Sequence, residues 1–317
     1  MHKKIMLAAI ILCCSNSMHA QPVDTAGTQL AIAVKDIKIH GTLLPATNKE
    51  KIVIIIAGSG PTDRDGNSPL GVKCNTYRLL ATALQQSGIA SFRYDKRGIA
   101  ASSYKQMDES KLSFEDYIND VQEIFHYLKD TLGYKDIYIA GHSEGSLIGM
   151  IAAQRIPVKG FISMAGAGRP INNIITEQVT ANNPVIGKQT DSLFNALKEK
   201  SKIDSVPPYL LSVFRPSVQP YMLSWMKYNP AIEITKLQVP VLILQGTCDI
   251  QVKPAEAGYL HEADKQATEL IIEGMTHTLK NALAGCDDKD MKTYRDPLLP
   301  LNNELVNAII KFVKKIE

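Results

Sequence analysis

A short apolar strand pattern runs directly into a glycine–serine–glycine turn and then into a helix pattern. Residues 136–140 predict a buried strand, Gly141-His142-Ser143-Glu144-Gly145 follow at once, and apolar residues recur at helical spacing from Leu147 onward. Small residues beside the serine permit a sharp strand-to-helix turn that holds the hydroxyl above the sheet. The pattern therefore predicts Ser143 as a nucleophile, with the Glu144 N–H in the first helical turn free to bind an anion. The alternative is an ordinary glycine-containing turn.

Strand and helix patterns alternate along most of the chain. The continuous β-branched run at 52–56 is typical of a strand buried on both faces of a parallel sheet. Further strands are predicted at 30–34, 37–44, 89–92, 161–164, 239–244 and 270–272, and further helices at 76–86, 113–131, 255–264 and 303–316. This alternation predicts an α/β fold with a doubly wound, mostly parallel sheet.

One segment interrupts the alternation. Residues 169–233 contain several prolines that separate short helical patterns, which predicts a helical cap inserted between two parts of the core, 21–168 and 234–317. A length of 317 residues suits one α/β core with such an insertion. The cap carries the apolar residues Met222, Leu223, Trp225 and Met226. These side chains either line an acyl pocket or pack as ordinary core.

The first twenty residues have the order of a secretory signal. Lys3 and Lys4 precede an apolar run, and Ala20 ends a short polar stretch. We therefore expect residues 1–20 to be a signal peptide cleaved near Ala20, which places the mature protein outside the cell or in the periplasm. Lipid attachment at Cys13 or Cys14 is the weaker alternative, because neither cysteine follows the small residue typical of lipoprotein signals. The apolar run is too short for a stable membrane span.

Charge and cysteine usage narrow the functional classes. Without Lys3 and Lys4, 33 basic residues face 32 acidic ones, so no net field favours nucleic acid or an anionic membrane. Cys74, Cys248 and Cys286 then remain, widely spaced and without a metal-ligand pattern. At most one intramolecular disulfide can form among them. We expect neither a metal nor an organic cofactor.

A serine nucleophile requires a histidine to accept its proton and a carboxylate to orient that histidine. His277 lies in a loop after the predicted strand 270–272, and Asp249 lies in a loop after the strand 239–244. Catalytic groups gather at the carboxyl ends of strands in open α/β sheets. We therefore predict a triad of Ser143, Asp249 and His277. The alternatives are a surface-loop role for His277 and a turn-capping role for Asp249.

At these residues the chain resembles the α/β-hydrolase superfamily, in which nucleophile, acid and histidine follow in this order. The resemblance covers about residue 52 to the C-terminus and is strongest to secreted bacterial carboxylesterases and serine-aminopeptidase-like hydrolases. The supporting motifs are Gly58-Ser59-Gly60-Pro61-Thr62-Asp63-Arg64-Asp65-Gly66-Asn67, Tyr94-Asp95-Lys96-Arg97-Gly98 and Val239-Pro240-Val241-Leu242-Ile243-Leu244-Gln245-Gly246. Ala57-Gly58 stands where many relatives have His-Gly. We expect Arg97 to be structural, and Asp63, Arg64 and Asp65 either to shape the mouth of the site or to pair with one another.

The resemblance implies an oxyanion hole formed by the backbone N–H groups of Ser59 and Glu144, and hydrolysis of small-molecule carboxylic esters through an acyl-enzyme. One alternative is a serine aminopeptidase acting on short peptides, whose substrate ammonium group would need an acid such as Glu144, Glu177 or Asp191. The other is a noncatalytic ligand-binding protein that keeps the hydrolase fold. The residues that bind the substrate are not assigned from the sequence.

Overall fold

Eight strands form one mostly parallel sheet. The computed structural model describes residues 27–47, 49–283, 285–286 and 291–316, so the predicted signal peptide lies outside the described residues. The strands of this sheet are β1 (Thr28–Val34), β2 (Ile37–Leu44), β3 (Lys51–Ile56), β6 (Ala90–Tyr94), β7 (Asp136–His142), β8 (Gly160–Met164), β9 (Val241–Gly246) and β10 (Thr268–Ile272). Their spatial order is β1-β2-β6-β3-β7-β8-β9-β10, and only the two pairings that involve β2 are antiparallel. The strands predicted at 30–34 and 37–44 pair as a hairpin, and the predicted doubly wound α/β fold is confirmed.

Helices cover both faces of the sheet. On one face, α1 (Thr76–Gln86) and α11 (Asn303–Lys315) enclose an apolar cluster that includes Val53 and Ile55. On the other face, α2 (Phe114–His126), α3 (Glu144–Ala153) and α9 (Ala255–Ala263) pack over Ile52 and Ile54. Alternate residues of β3 thus point into opposite clusters, which is why this strand is apolar at every position after Lys51.

The helices between β8 and β9 lie outside this alternation. They are α4 (Ile171–Asn182), α5 (Pro184–Lys200), α6 (Leu211–Phe214), α7 (Gln219–Trp225) and α8 (Pro230–Ile234). Asn183 and Asn229 cap α5 and α8 through their side-chain oxygens, and a proline follows each cap at the first helical position. We refer to residues 169–233 as the cap; its boundaries remain a prediction.

Several elements differ in detail from the sequence pattern. The helix predicted over 113–131 begins with the expected capping box of Ser113 and Asp116, but it changes to a π-helical turn at Tyr127–Thr131. Two small strands, β4 (Asn67–Ser68) and β5 (Val72–Lys73), form a separate pair, and α10 (Lys292–Arg295) precedes α11. Within the described ranges, none of the helices has both the length and the apolar composition needed to span a bilayer.

Candidate active site

Ser143 occupies a strained turn between β7 and α3. Its φ of 54° and ψ of −119° lie outside the regions that a serine ordinarily adopts. A Cβ atom on Gly145 would lie 2.5 Å from the Ile56 carbonyl oxygen, and one on Gly141 would lie 2.1 Å from the Gly145 oxygen. Both positions therefore accept only glycine, because any side chain would separate α3 from the sheet. This packing holds the serine at the carboxyl end of β7.

Asp249 and His277 form a buried hydrogen-bonded pair. The Nδ1 atom of His277 lies 2.7 Å from Oδ2 of Asp249. The other carboxylate oxygen accepts the backbone N–H groups of Gln251 and Val252, each at 2.8 Å, and Gln245 Nε2 donates to Oδ2 at 3.1 Å. Burial acts to raise the pKa of Asp249, but His277 and these N–H donors outweigh it and hold the pKa below its usual value. The carboxylate is thus ionised at neutral pH and keeps the proton of His277 on Nδ1.

The serine and histidine are brought to the same edge of the sheet through His142. Its Nε2–H donates to the backbone oxygen of His277 at 2.8 Å, and the two imidazole centroids lie 4.7 Å apart. Among the described residues, Ser143 Oγ makes no hydrogen bond. Catalytic contacts are often long in ligand-free hydrolases and tighten in the substrate complex. Nε2 of His277 makes no hydrogen bond within the described part of the chain, so this nitrogen is able to accept a proton.

His142 also connects His277 to the loop after β3. Burial lowers its pKa to about 3, so the ring is neutral at physiological pH. Because the His277 carbonyl only accepts, the proton of His142 lies on Nε2, and Nδ1 accepts from the Tyr77 hydroxyl at 2.8 Å. That hydroxyl in turn accepts the N–H of Gly58 at 2.9 Å. A chain of three hydrogen bonds thus fixes Gly58 relative to His277.

Two residues whose backbone N–H groups make no hydrogen bond within the described residues line the cavity beside Ser143. Glu144 is the first residue of α3, where an N–H has no partner inside the helix. Ser59 follows Gly58, and its N–H makes no hydrogen bond within the described part of the chain. A Cβ on Gly58 would lie 3.3 Å from the Ser143 Cβ, so this loop packs directly against the turn. Ser59, Ser143 and Glu144 line one cavity, which is the arrangement that an oxyanion hole requires.

The cavity has a volume of about 870 Å³ and is largely apolar. Its apolar lining from the cap includes Ile171, Ile174, Ile175, Val218, Met222 and Trp225. Met222 and Trp225 therefore line the cavity, whereas Leu223 and Met226 pack against the core. The indole of Trp225 also stacks on Phe114, with centroids 5.4 Å apart, so its position is fixed by the core as well.

The charged side chains that line the cavity are Lys96, Glu109, Glu144, Arg169 and Arg215. Each is paired with an opposite charge. Glu109 bonds Arg215, Lys96 bonds Glu144, and Arg169 bonds both Glu177 and Glu256. Among the described residues, no group of three or more His, Cys, Asp or Glu side chains is placed to hold a metal ion.

A disulfide joins Cys248 to Cys286, and Cys74 is buried and free. Since Cys248 precedes Asp249 and Cys286 follows His277, the disulfide links the loop that contains Asp249 to the segment that follows His277. The sequence allowed one disulfide but left its partners open.

The structure also gives the partners of side chains whose roles the sequence left open or did not indicate. Asp63, Arg64 and Asp65 do not form ion pairs with one another: Arg64 bonds Asp95 at 2.6 Å, and Asp65 bonds Arg93 at 2.7 Å. Arg97 bonds Asp120, in agreement with a structural role. The sequence analysis assigned no role to His142, Tyr77, Lys96 or Tyr221. His142 and Lys96 lie inside the quoted motifs, and this was the available indication of a role. The sequence did not indicate their contacts, because the bonded partners lie 48 to 135 residues apart in the chain.

The sheet order, the strained serine turn and the Asp–His pair at the carboxyl ends of the strands define an α/β-hydrolase. Comparison with known proteins gives the same class and a family within it. The chain belongs to the serine aminopeptidase S33 family, whose model matches residues 70–282.

Similar proteins include enzymes named as esterases. Esterase EstD of Thermotoga maritima is 26% identical over 225 residues, which is 69% of this chain and 52% of that protein. The chain thus spans about half the length of this curated relative. Among solved structures, Est1E from Butyrivibrio proteoclasticus with bound ferulic acid has a TM-score of 0.60 at 18% identity, covering 90% of this chain and 98% of that one. The Pyrococcus furiosus esterase PF2001 has a TM-score of 0.61 at 16% identity, covering 94% and 95%. These two structural similarities establish the fold.

Proposed function

We propose that the protein hydrolyses carboxylic esters through an acyl-enzyme on Ser143. The observation that carries the proposal is the buried Asp249–His277 pair, held by His142 beside the strained serine turn. An orienting carboxylate, a histidine with a free Nε2 and an adjacent serine are the parts that acyl transfer needs. The esterase relative supports the substrate class.

The reaction follows from these positions. His277 Nε2 takes the proton as Ser143 Oγ attacks the ester carbonyl carbon, and the oxyanion forms between the N–H groups of Ser59 and Glu144. His277 then gives the proton to the departing alcohol, which leaves Ser143 acylated. Water, deprotonated by the same nitrogen, attacks the acyl group and releases the acid and free Ser143. Asp249 stays ionised throughout and stabilises the imidazolium.

The cavity favours an uncharged ester with a sizeable apolar group. A volume of about 870 Å³ exceeds what an acetyl ester fills, and its charged lining side chains are already paired. Breaking such a pair to receive an ionic substrate would leave a desolvated charge. Octanoyl esters should therefore have lower KM values than acetyl esters.

The serine aminopeptidase alternative is favoured by the family description. It requires an acid that can receive a substrate ammonium group. Glu144 bonds Lys96 and the Tyr221 hydroxyl, and Glu177 bonds Arg169 and Lys253. Asp191 lies on α5 and does not line the cavity. These pairings support the ester over the peptide.

The decisive experiment combines a fluorophosphonate probe with two substrate series. Protein starting at Gln21 is labelled and digested, and the adduct is located by mass spectrometry, with Ser143→Ala and His277→Ala as controls. We expect labelling at Ser143 that requires His277, and turnover of p-nitrophenyl esters well above that of aminoacyl anilides. Faster release from the anilides would establish the aminopeptidase instead. A folded protein that binds an ester without labelling or turnover would be a noncatalytic binding protein.

The cavity assignment has its own test in Ile174→Trp, which places an indole where α4 lines the cavity. Filling this space should raise KM for a p-nitrophenyl octanoate about 10-fold and leave the acetate unchanged, since a few lost methylene contacts each contribute about 0.8 kcal/mol. The exposed Ile232 on α8 supplies the matched control, Ile232→Trp. Equal effects of Ile174→Trp on both esters would contradict the assignment.

Export to the periplasm or the exterior remains part of the proposal. The Cys248–Cys286 disulfide supports it, because such bonds persist in oxidising compartments. Amino-terminal sequencing of the protein recovered from a fractionated secreting host tests it: Gln21 as the first residue supports cleavage near Ala20, whereas an intact Met1 in the cytosol argues against export.

A further inference from the structure

A buried ion pair lies directly behind the predicted oxyanion hole. The side chains of Lys96 and Glu144 are 2% and 3% exposed and bond each other. Removing two charges from water is unfavourable unless further hydrogen bonds satisfy both groups. Lys96 follows β6 and Glu144 begins α3, so the pair also joins two loops at the carboxyl edge of the sheet. The other partners of the pair indicate what it acts upon.

The first of these partners is the peptide group between Gly58 and Ser59, in the loop after β3, which we call the oxyanion loop. Lys96 Nζ donates to the carbonyl oxygen of Gly58 at 2.7 Å. That carbonyl and the N–H of Ser59 belong to one planar, resonance-stabilised peptide unit. A cation on the carbonyl oxygen draws electron density from the nitrogen, which makes the Ser59 N–H a stronger donor. It also fixes the plane of the peptide and therefore the direction of the N–H.

The second partner comes from the cap. The Tyr221 hydroxyl on α7 donates to Oε1 of Glu144 at 2.6 Å, while the other oxygen of this carboxylate bonds Lys96. Lys96 Nζ also lies 5.0 Å from the centre of the Tyr117 ring, a cation–π distance. The Lys96 ammonium group thus contacts Glu144, the Tyr117 ring and the Gly58 carbonyl oxygen, and these contacts hold it against that oxygen. The position of the cap is coupled to the oxyanion loop through Glu144.

We propose that Lys96 is a positioning residue that strengthens and orients the Ser59 donor of the oxyanion hole, with Glu144 and the cap residue Tyr221 holding it in place. The proposal rests on the function proposed above. Lys96 does not touch the reacting atoms, so its contribution should appear only as the oxyanion forms. Binding of the neutral ester should not depend on it.

The test replaces both charges with neutral side chains of similar shape, Lys96→Met/Glu144→Gln. The double substitution is used because removing one member alone would leave a buried, unpaired charge. Loss of a whole oxyanion donor lowers kcat by about 10²- to 10³-fold, so a weakened donor should lower it by about 10- to 50-fold. We expect KM to change less than about 2-fold, since ground-state contacts remain.

A trifluoromethyl ketone supplies the readout that a structural role would not change. Its adduct with Ser143 carries the oxyanion, so its affinity should fall by the same factor as kcat/KM. Affinity for the matching alkyl compound without a carbonyl should stay constant. The matched control is Arg97→Met/Asp120→Asn, which removes the neighbouring buried ion pair away from the cavity. It should leave kcat and ketone affinity within about 2-fold of the wild type.

Tyr221→Phe tests the same network without removing a charge, and it serves if the double variant does not fold. It should lower kcat and ketone affinity together, by about 2- to 5-fold. The proposal is overturned if either folded variant loses turnover without losing ketone affinity, or loses neither. Wild-type protein without ester turnover or Ser143 labelling would overturn the proposed function and this inference together. Wild-type turnover with unaffected variants would overturn only the role of Lys96.

Discussion

The Cys248–Cys286 disulfide should stabilise the protein without being needed for catalysis. It closes a loop of 38 residues. In the chain-entropy description, such a cross-link removes about 13 cal/mol/K from the unfolded ensemble, or about 4 kcal/mol at 25 °C. The hydrogen bonds that the Asp249 carboxylate accepts from Gln251, Val252 and Gln245 do not involve either cysteine. We therefore expect a large change in stability with little change in kcat.

The double variant Cys248→Ala/Cys286→Ala provides the test. With a urea m value of about 3 kcal/mol/M, a loss of about 4 kcal/mol lowers the unfolding midpoint by about 1.3 M. Before unfolding begins, kcat should stay within about 3-fold of the wild type. Reduction of the wild-type protein with dithiothreitol should reproduce the shift.

The buried, free Cys74 supplies the control. Its Sγ donates to the Gly66 oxygen at 2.9 Å, a bond that a serine hydroxyl can also make, so Cys74→Ser should leave the midpoint near that of the wild type. An unchanged midpoint in the double variant would refute the loop-closure reasoning. A loss of kcat comparable to that of a triad variant would show that the disulfide positions Asp249.

Two further predictions concern the proposed acid Asp249 and the neighbouring His142. Asp249→Asn should lower kcat about 10⁴-fold, because an amide no longer keeps the His277 proton on Nδ1. Steady-state kinetics with a p-nitrophenyl ester measure this change. A loss of kcat under 10-fold would show that Asp249 is not part of the triad. His142 has a pKa of about 3 in the folded protein against 6.5 in a model peptide, so below pH 6.5 protons bind the unfolded chain preferentially and stability falls as the pH approaches 3. At about 1.4 kcal/mol per pH unit, protonation of His142 in the unfolded chain destabilises the wild type by about 2 kcal/mol at pH 5 relative to pH 8. Urea unfolding at the two pH values should show that His142→Gln lacks this contribution. An identical pH dependence of stability in both proteins would contradict the assignment to His142.

The alternation of strands and helices was readable from the sequence because β3, β7 and β9 are continuous apolar runs bounded by polar loops. Such local patterns depend on near neighbours only, so they identify elements well and element ends less well. The π-helical turn at Tyr127–Thr131 illustrates the limit, since no residue there interrupts the helical pattern.

The residues of the proposed triad could also be selected from the sequence, since each follows a recognisable strand. The network around them could not. Lys96 and Glu144 lie inside the quoted motifs, but nothing in those motifs indicates that their side chains bond each other or that Glu144 accepts a hydrogen bond from the cap residue Tyr221, 77 positions further along the chain. Likewise, pairing among Asp63, Arg64 and Asp65 was one of two alternatives left open by the sequence, but Arg64 and Asp65 each bond a residue about thirty positions away, on or just after β6. Long-range side-chain pairing leaves no periodic signal in one sequence.

The close approach at Gly141 and Gly145 has a consequence for how this protein can change over time. The contact of α3 with β3 and β7 requires both glycines, and this requirement does not depend on the side chain at position 143. Chemistry at position 143 can therefore be exchanged by a single codon change while the turn stays intact. The surrounding glycines, in contrast, would persist in a descendant that had lost all activity. In such a lineage the glycine spacing would indicate only the ancestral fold, whereas the side chain at 143 would indicate which reaction is still possible.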